Sequence, residues 1–258
     1  MTLRPETQAL LVIGGWGVNA AMLGPVVAQW PGTVQFVSLN DDLLVPSRTV
    51  AEAAQRLVRQ YPEPRVWLGW SQGAQVAMAA ADIPGTPVQK VVTLAGFPRF
   101  VAGDHWPTGM APETFKAFRG GMAADPNRTW RRFQQLLVHG VAREHSAAAR
   151  RELGRWLAEG PVANSEHLAQ SLDWLAREDQ RTLWRNLDQP TLHLLAESDA
   201  LVRPWSEDLA LPERATVKII PGMSHWPTAA KAAQCGRMLG AFAVDENAFE
   251  KTPMAENL

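Results

Sequence analysis

A chain of 258 residues with 46% apolar and 20% charged residues can bury a sizeable core, which excludes a disordered or low-complexity architecture. A formal net charge of -1 excludes a molecule-wide basic field, so neither nucleic acid nor an anionic membrane is an expected partner. The single cysteine, Cys235, excludes an intramolecular disulfide; with no secretory leader pattern at the N-terminus, a cytoplasmic address is expected.

Residues 9–13 form a continuous β-favouring apolar run that stops at Gly14-Gly15, the pattern of a central strand buried on both faces. At five residues it is far short of the roughly 20 that a membrane-spanning helix needs, and no membrane span is expected. A helix over 22–29, a strand over 34–39 and a helix over 49–59 follow, the last with Ala, Leu and Val at helical spacing. Strand character resumes over 66–70, an Ala-rich helix runs from 72 to about 81, and 88–95 is another buried strand. This alternation predicts a mostly parallel sheet flanked by helices, with ligand chemistry at the carboxyl ends of the strands.

The rhythm breaks after Gly96. Between 105 and 184 there is no strand run, only amphipathic helical patterns: Phe133, Leu136, Leu137 and Val141 form one apolar stripe, and Leu153, Trp156 and Leu157 another. Strands return at 191–195 and 216–220, and a helix over 229–242 closes the fold. The predicted organisation is a core of residues 1–104 and 185–244, a helical lid of 105–184, and a loosely held polar tail over 245–258. A chain of this size folds without a partner subunit, and a monomer is expected.

The sharpest local signal is Gly69-Trp70-Ser71-Gln72-Gly73, a G-x-S-x-G sequence between a predicted strand and a predicted helix. A serine on such a tight turn leaves no room for side chains two positions either side, and glycine at both positions removes the collision. A serine hydroxyl is a weak nucleophile until a base takes its proton. Of six histidines, His139, His145 and His167 lie in the helical segment, His105 at its edge, and His193 inside a strand run as a packing position. His225 differs: it follows the strand ending at Ile220, at the sheet edge where Ser71 emerges. The imidazole needs a carboxylate to orient it. Asp199, after the strand over 191–195, keeps the chain order serine, acid, histidine, with Glu197 as its competitor. The backbone amides of Gln72 and of Trp16, in the turn Gly14-Gly15-Trp16-Gly17, are the expected oxyanion donors. No metal-ligand spacing surrounds His225, and no cofactor is expected.

These residues carry a resemblance. The stretches Gly15-Trp16-Gly17-Val18-Asn19-Ala20, Gly69 to Gly73, Asp199-Ala200-Leu201-Val202 and Gly222 to His225 resemble, in order and spacing, the pimeloyl-acyl-carrier-protein methyl ester carboxylesterases of bacterial biotin synthesis, a family of the α/β-hydrolase fold. The resemblance implies Ser71 as nucleophile, Asp199 and His225 as its partners, the amides of Trp16 and Gln72 as oxyanion hole, and an ester borne by acyl carrier protein as substrate. The chain departs from the family at Gly14, where histidine is usual, at Gln72, where leucine is usual, and at Ala74, where a second glycine is usual.

Acyl carrier protein is strongly acidic, and between Asn127 and Arg155 seven arginines stand against two glutamates. Arg128, Arg132 and Arg143 are the candidates for contact with the carrier, the alternative being a solvated helix face. Phe133, with Leu136 and Leu137, either lines an acyl tunnel or packs the lid. Two other activities fit the same residues, a general short-chain esterase and a carbon-carbon bond hydrolase, and a catalytically silent scaffold is the reading from another class.

Overall fold

The apolar runs assemble into one six-stranded parallel sheet in the computed structural model of the protein, which describes residues 9–205 and 209–248. The strands are β1 (Ala9–Ile13), β2 (Val34–Val37), β3 (Arg65–Trp70), β4 (Val88–Leu94), β5 (Thr191–Ala196) and β6 (Ala215–Ile220), in spatial order β2-β1-β3-β4-β5-β6. All of β3 and β5 and all but the first residue of β1 are buried, which is why their sequences are dominated by apolar residues.

Connections from β1 run outward to β2 and those from β3 run the other way to β4, so the strand order reverses between β1 and β3. A crevice opens at the carboxyl ends of the strands at such a switch point. The turns after β1 and β3 are the ones carrying Trp16 and Ser71.

Helices α1 (Gly24–Val27), α2 (Asp41–Leu44), α3 (Val50–Gln60) and α4 (Gln72–Ala81) connect the first four strands. The helix expected over 22–29 is instead a 3-10 turn, Ala20–Leu23, followed by the single turn of α1. Asn19 starts it by accepting from the Ala21 amide at 2.9 Å, and Gly24 and Pro25 keep it from lengthening. The strand expected over 34–39 ends at Val37, because Ser38 turns its hydroxyl to the Ala20 amide and Asn40 caps α2, a helix too short for periodicity to reveal. Thr49 caps α3 through the Glu52 amide at 3.1 Å.

Between β4 and β5 the described residues form α5 (Pro112–Ala124), α6 (Pro126–Leu137), α7 (Arg143–Trp156), α8 (Ser165–Arg177) and α9 (Arg181–Asn186), and no strand. Helix α10 (Ala229–Val244) follows β6 and packs against α1. Most of the expected tail, 249–258, lies outside the described residues, as do residues 1–8. No helix among the described residues is long and apolar enough to cross a membrane.

An aromatic cluster joins the helical segment to the sheet edge. The Trp16 ring stands edge-on to Phe133 at 4.9 Å and to Phe118 at 5.4 Å, while Trp130 stacks on Phe133 at 5.5 Å. Gly17, at φ 70°, lets the turn reach under this cluster: a Cβ there would sit 2.7 Å from the Trp130 ring.

Candidate active site

Ser71 lies between the end of β3 and the first residue of α4, at φ 56° and ψ -122°, a conformation costly for a non-glycine residue and held only where the surroundings enforce it. The Ser71 amide donates to Leu94 O at 3.0 Å and its carbonyl accepts from the Ala74 amide at 2.9 Å. Gly69 and Gly73 make the turn possible. A Cβ on Gly69 would collide with the backbone at Gly73 and Ala74, and one on Gly73 would lie 2.5 Å from the carbonyl oxygens of both Ile13 and Gly14. The nucleophile turn and the turn after β1 are therefore in backbone contact.

Three side chains from three strand ends converge here. Ser71 Oγ lies 2.8 Å from His225 Nε2, and His225 Nδ1 lies 2.7 Å from Asp199 Oδ2. His225 is fully buried, the Asp199 carboxyl is 3% exposed and Ser71 7% exposed, so the chain of contacts is shielded from water. The other carboxyl oxygen of Asp199 accepts from the amides of Leu201 at 2.8 Å and Val202 at 3.1 Å, which fixes its orientation. Glu197, the competing acid, turns away and accepts from the Gly222 amide at 2.8 Å, bracing the loop that carries His225. Trp70 adds a brace that the sequence reading missed, donating from Nε1 to His225 O at 2.9 Å.

Trp16 lies in the turn after β1, and Gln72 is the first residue of α4, where a backbone amide has no acceptor within the helix. Neither amide finds an acceptor among the described residues. Gly15 packs directly on the nucleophile, a Cβ there falling 3.1 Å from Ser71 Cβ.

The serine opens into a cavity of about 220 Å³. Its walls are mainly apolar: Trp16, Phe100, Phe118, Phe133, Leu172 and Leu201. Among the described residues Arg132 is the one charged side chain in the lining. Phe133 packs in the aromatic cluster and also faces the cavity. Arg128 and Arg143 are exposed and line no part of the cavity. Phe118, Leu172 and Leu175 are wall residues that the sequence reading passed over, although Leu168, Leu172 and Leu175 form a helical stripe that marks the inner face of α8.

The remaining histidines serve elsewhere. His193 is fully buried in β5, stacked on Trp184 at 4.7 Å and bonded through Nδ1 to Thr93 Oγ1 at 2.8 Å, and burial pushes its pKa down to about 3. His167 contacts Asp41 at 2.7 Å, a partner that holds the Asp41 carboxyl below its ordinary range. His105, His139 and His145 are exposed. Among the described residues no group of three or more His, Cys, Asp or Glu side chains is placed to hold a metal ion.

Comparison with known proteins agrees with this architecture. Residues 15–235 match the model of the alpha/beta hydrolase family. A biotin biosynthesis bifunctional protein of Cellvibrio japonicus is 33% identical over 223 residues, covering 84% of this chain and 43% of that longer protein. A pimeloyl-[acyl-carrier protein] methyl ester esterase of Klebsiella pneumoniae is 32% identical over 198 residues, 75% of this chain and 76% of its own length. Among solved structures, a hydrolase from Oleispira antarctica superposes with a TM-score of 0.73 at 14% identity, over 92% of this chain and 91% of that one, which establishes likeness of fold. The chain belongs to the alpha/beta hydrolase family, among relatives named as pimeloyl-[acyl-carrier protein] methyl ester esterases.

Proposed function

We propose that the protein is a serine carboxylesterase that hydrolyses the methyl ester of pimeloyl-acyl carrier protein in biotin synthesis, through an acyl-enzyme on Ser71. The observation that carries the chemistry is the relay of 2.8 Å from Ser71 to His225 and 2.7 Å from His225 to Asp199, opening into an apolar cavity. The names of the relatives carry the substrate.

In the first half-reaction Ser71 Oγ attacks the ester carbonyl while His225 Nε2 takes its proton, and Asp199 holds the ring in the tautomer that leaves Nε2 free to do so. The amides of Trp16 and Gln72 donate to the oxyanion of the tetrahedral intermediate. Collapse breaks the bond to the methoxy oxygen, which leaves as methanol with the proton from His225, and the acyl group stays on Ser71. In the second half-reaction water gives a proton to His225 and attacks the acyl carbon; collapse frees the acid and returns the proton to Ser71.

At about 220 Å³ the cavity is smaller than the roughly 300–1,000 Å³ of drug-sized ligand sites, a size suited to a slim acyl chain. Segment 105–184 is the lid in this reading, with Phe133 on the acyl chain. Arg128, Arg132 and Arg143 form the carrier-facing surface: all three are exposed and none has a carboxylate within 4.0 Å among the described residues. The enzyme acts as a cytoplasmic monomer and needs no cofactor. A second reading, a general short-chain esterase, draws on the fact that only Arg132 of these three lines the cavity.

The test compares pimeloyl-acyl-carrier-protein methyl ester with a short p-nitrophenyl ester, using wild type and charge reversals at Arg128, Arg132 and Arg143. Loss confined to the carrier-bound ester supports the carrier-specific reading. Equal activity of all variants on both esters supports the general esterase and overturns the carrier-binding role.

A further inference from the structure

The side chain of Gln72 serves neither the nucleophile nor the cavity wall. It is fully buried, and its Nε2 donates to the carbonyl of Ser171, in helix α8, at 3.0 Å, while its Oε1 has no partner among the described residues. Trp16 behaves in parallel: its indole Nε1 donates to Leu168 O, one turn earlier on α8, at 3.1 Å. The two residues whose backbone amides form the oxyanion hole are thus tied by their side chains to adjacent turns of one helix in the segment that covers the site.

That helix is itself fastened to the core. The Val162 amide donates to Gly17 O at 3.1 Å, the Asn164 amide to Asp41 Oδ1 at 3.0 Å, and His167 Nδ1 meets the same carboxyl oxygen at 2.7 Å. Ser171 Oγ donates to Leu168 O at 2.9 Å, so the carbonyl that receives Trp16 also holds the serine whose own carbonyl receives Gln72.

We propose that helix α8 sets the geometry of the oxyanion hole, and that the side chain of Gln72 is the positioning group that couples it to the nucleophile turn. Oxyanion donors act only when held within a few tenths of an ångström of the developing charge, so a tether on the residue that supplies the donor acts on the transition state and not on the bound ester. Stability does not explain the glutamine. A buried amide whose oxygen has no partner among the described residues is destabilising relative to an apolar side chain of the same size. This inference rests on the Ser71 reading proposed above.

Gln72→Met keeps the length of the side chain and removes the donor. On a short p-nitrophenyl ester, kcat should fall by about tenfold with KM within about twofold, a fraction of the 10²–10³ loss that follows removal of an oxyanion donor outright. The affinity for a trifluoromethyl ketone, which forms an oxyanion on Ser71, should weaken by the same factor as kcat, and Tm should hold or rise. An unchanged kcat, or a rise in KM with the ketone affinity unmoved, overturns the proposal. Hydrogen exchange on the wild type gives a second reading that does not depend on the variant folding: forming a phosphonate adduct on Ser71 should slow exchange in α8 (165–177) and leave α7 (143–156) unchanged, and an unaltered α8 also overturns it. Failure of the wild type to take up phosphonate at all would instead remove the Ser71 reading on which the coupling depends.

Discussion

The two sides of the cavity are held by different physics. On the sheet side every functional residue sits one to five residues past the end of a parallel strand, and the turns carrying them touch backbone to backbone, as where Gly73 meets Ile13 and Gly14. On the helical side α5, α6 and α8 dock through rings and side-chain bonds, Phe133 and Trp130 on Trp16, Gln72 on Ser171 and Asp41 on His167, supplemented by backbone bonds from the Val162 amide to Gly17 O and from the Trp226 amide to Leu137 O. Backbone packing fixes atoms to fractions of an ångström and tolerates almost no substitution, whereas side-chain docking can be re-cut to suit another ligand. In the proposed reading the sheet side carries the reaction and the aromatic wall from α5 and α6 the choice of substrate, while α8 reaches the chemistry through its bond to Gln72. Substitutions at Gly73 and Phe133 separate the two sides.

The largest effect should come from Asp199→Asn, which leaves the shape of the site intact but removes the carboxylate 2.7 Å from His225 Nδ1 that in the proposed mechanism selects the tautomer; kcat should fall by about 10⁴-fold. Glu197→Gln, at a carboxylate that accepts from the Gly222 amide, should stay within about tenfold of wild type in the same esterase assay. Parity between the two variants would undo the assignment of roles to the two acids.

Next is Gly73→Ala. Its Cβ would press on the carbonyls of Ile13 and Gly14, so the two turns must part; a loss of about 1–3 kcal/mol in a denaturant titration is expected, with kcat falling. On the helical side Phe133→Ala removes a ring from three aromatic contacts at the cavity wall. It should raise KM more than it lowers kcat, and a pure kcat effect would contradict the division drawn here.

A smaller effect concerns pH. Buried His193 stays neutral in the folded protein down to about pH 3, while in the unfolded chain it takes a proton near its ordinary value of 6.5. The unfolded state therefore binds more protons between these values, and stability drops as pH falls through 6.5, by about 1.4 kcal/mol per unit for this one group. The slope of Tm against pH between 6.5 and 5 should be shallower in His193→Gln than in the wild type, and equal slopes would remove His193 from the account. Smallest of all, the buried Cys235 thiol, its pKa pushed up to about 12 by burial, should resist alkylation in the native protein at neutral pH and react on unfolding.

What the sequence revealed follows the same division. Runs rich in Val, Leu and Ile marked β1, β3, β4 and β5 to within a residue at either end, because strands buried over most of their length draw on apolar and β-branched residues. The convergence of Ser71, Asp199 and His225 was legible because parallel strands deliver their carboxyl ends to one edge, so position after a strand implies proximity in space. Hidden were α2, whose four residues are too few for periodicity, and the bond from Trp70 to His225 O, which spans 155 residues. The helical segment showed its stripes but not its docking: that Arg132 reaches the cavity while Arg128 does not depends on the rotation of α6 about its axis.

The most direct test of the central claim is labelling by a fluorophosphonate, read by mass spectrometry of the peptide carrying residues 69–73, alongside turnover of a p-nitrophenyl ester by wild type and Ser71→Ala. Stoichiometric modification of Ser71, with turnover at least about a thousandfold lower in the folded Ser71→Ala protein, is the predicted result. Retained turnover in that variant, or an unlabelled Ser71 in an active wild type, would contradict the account.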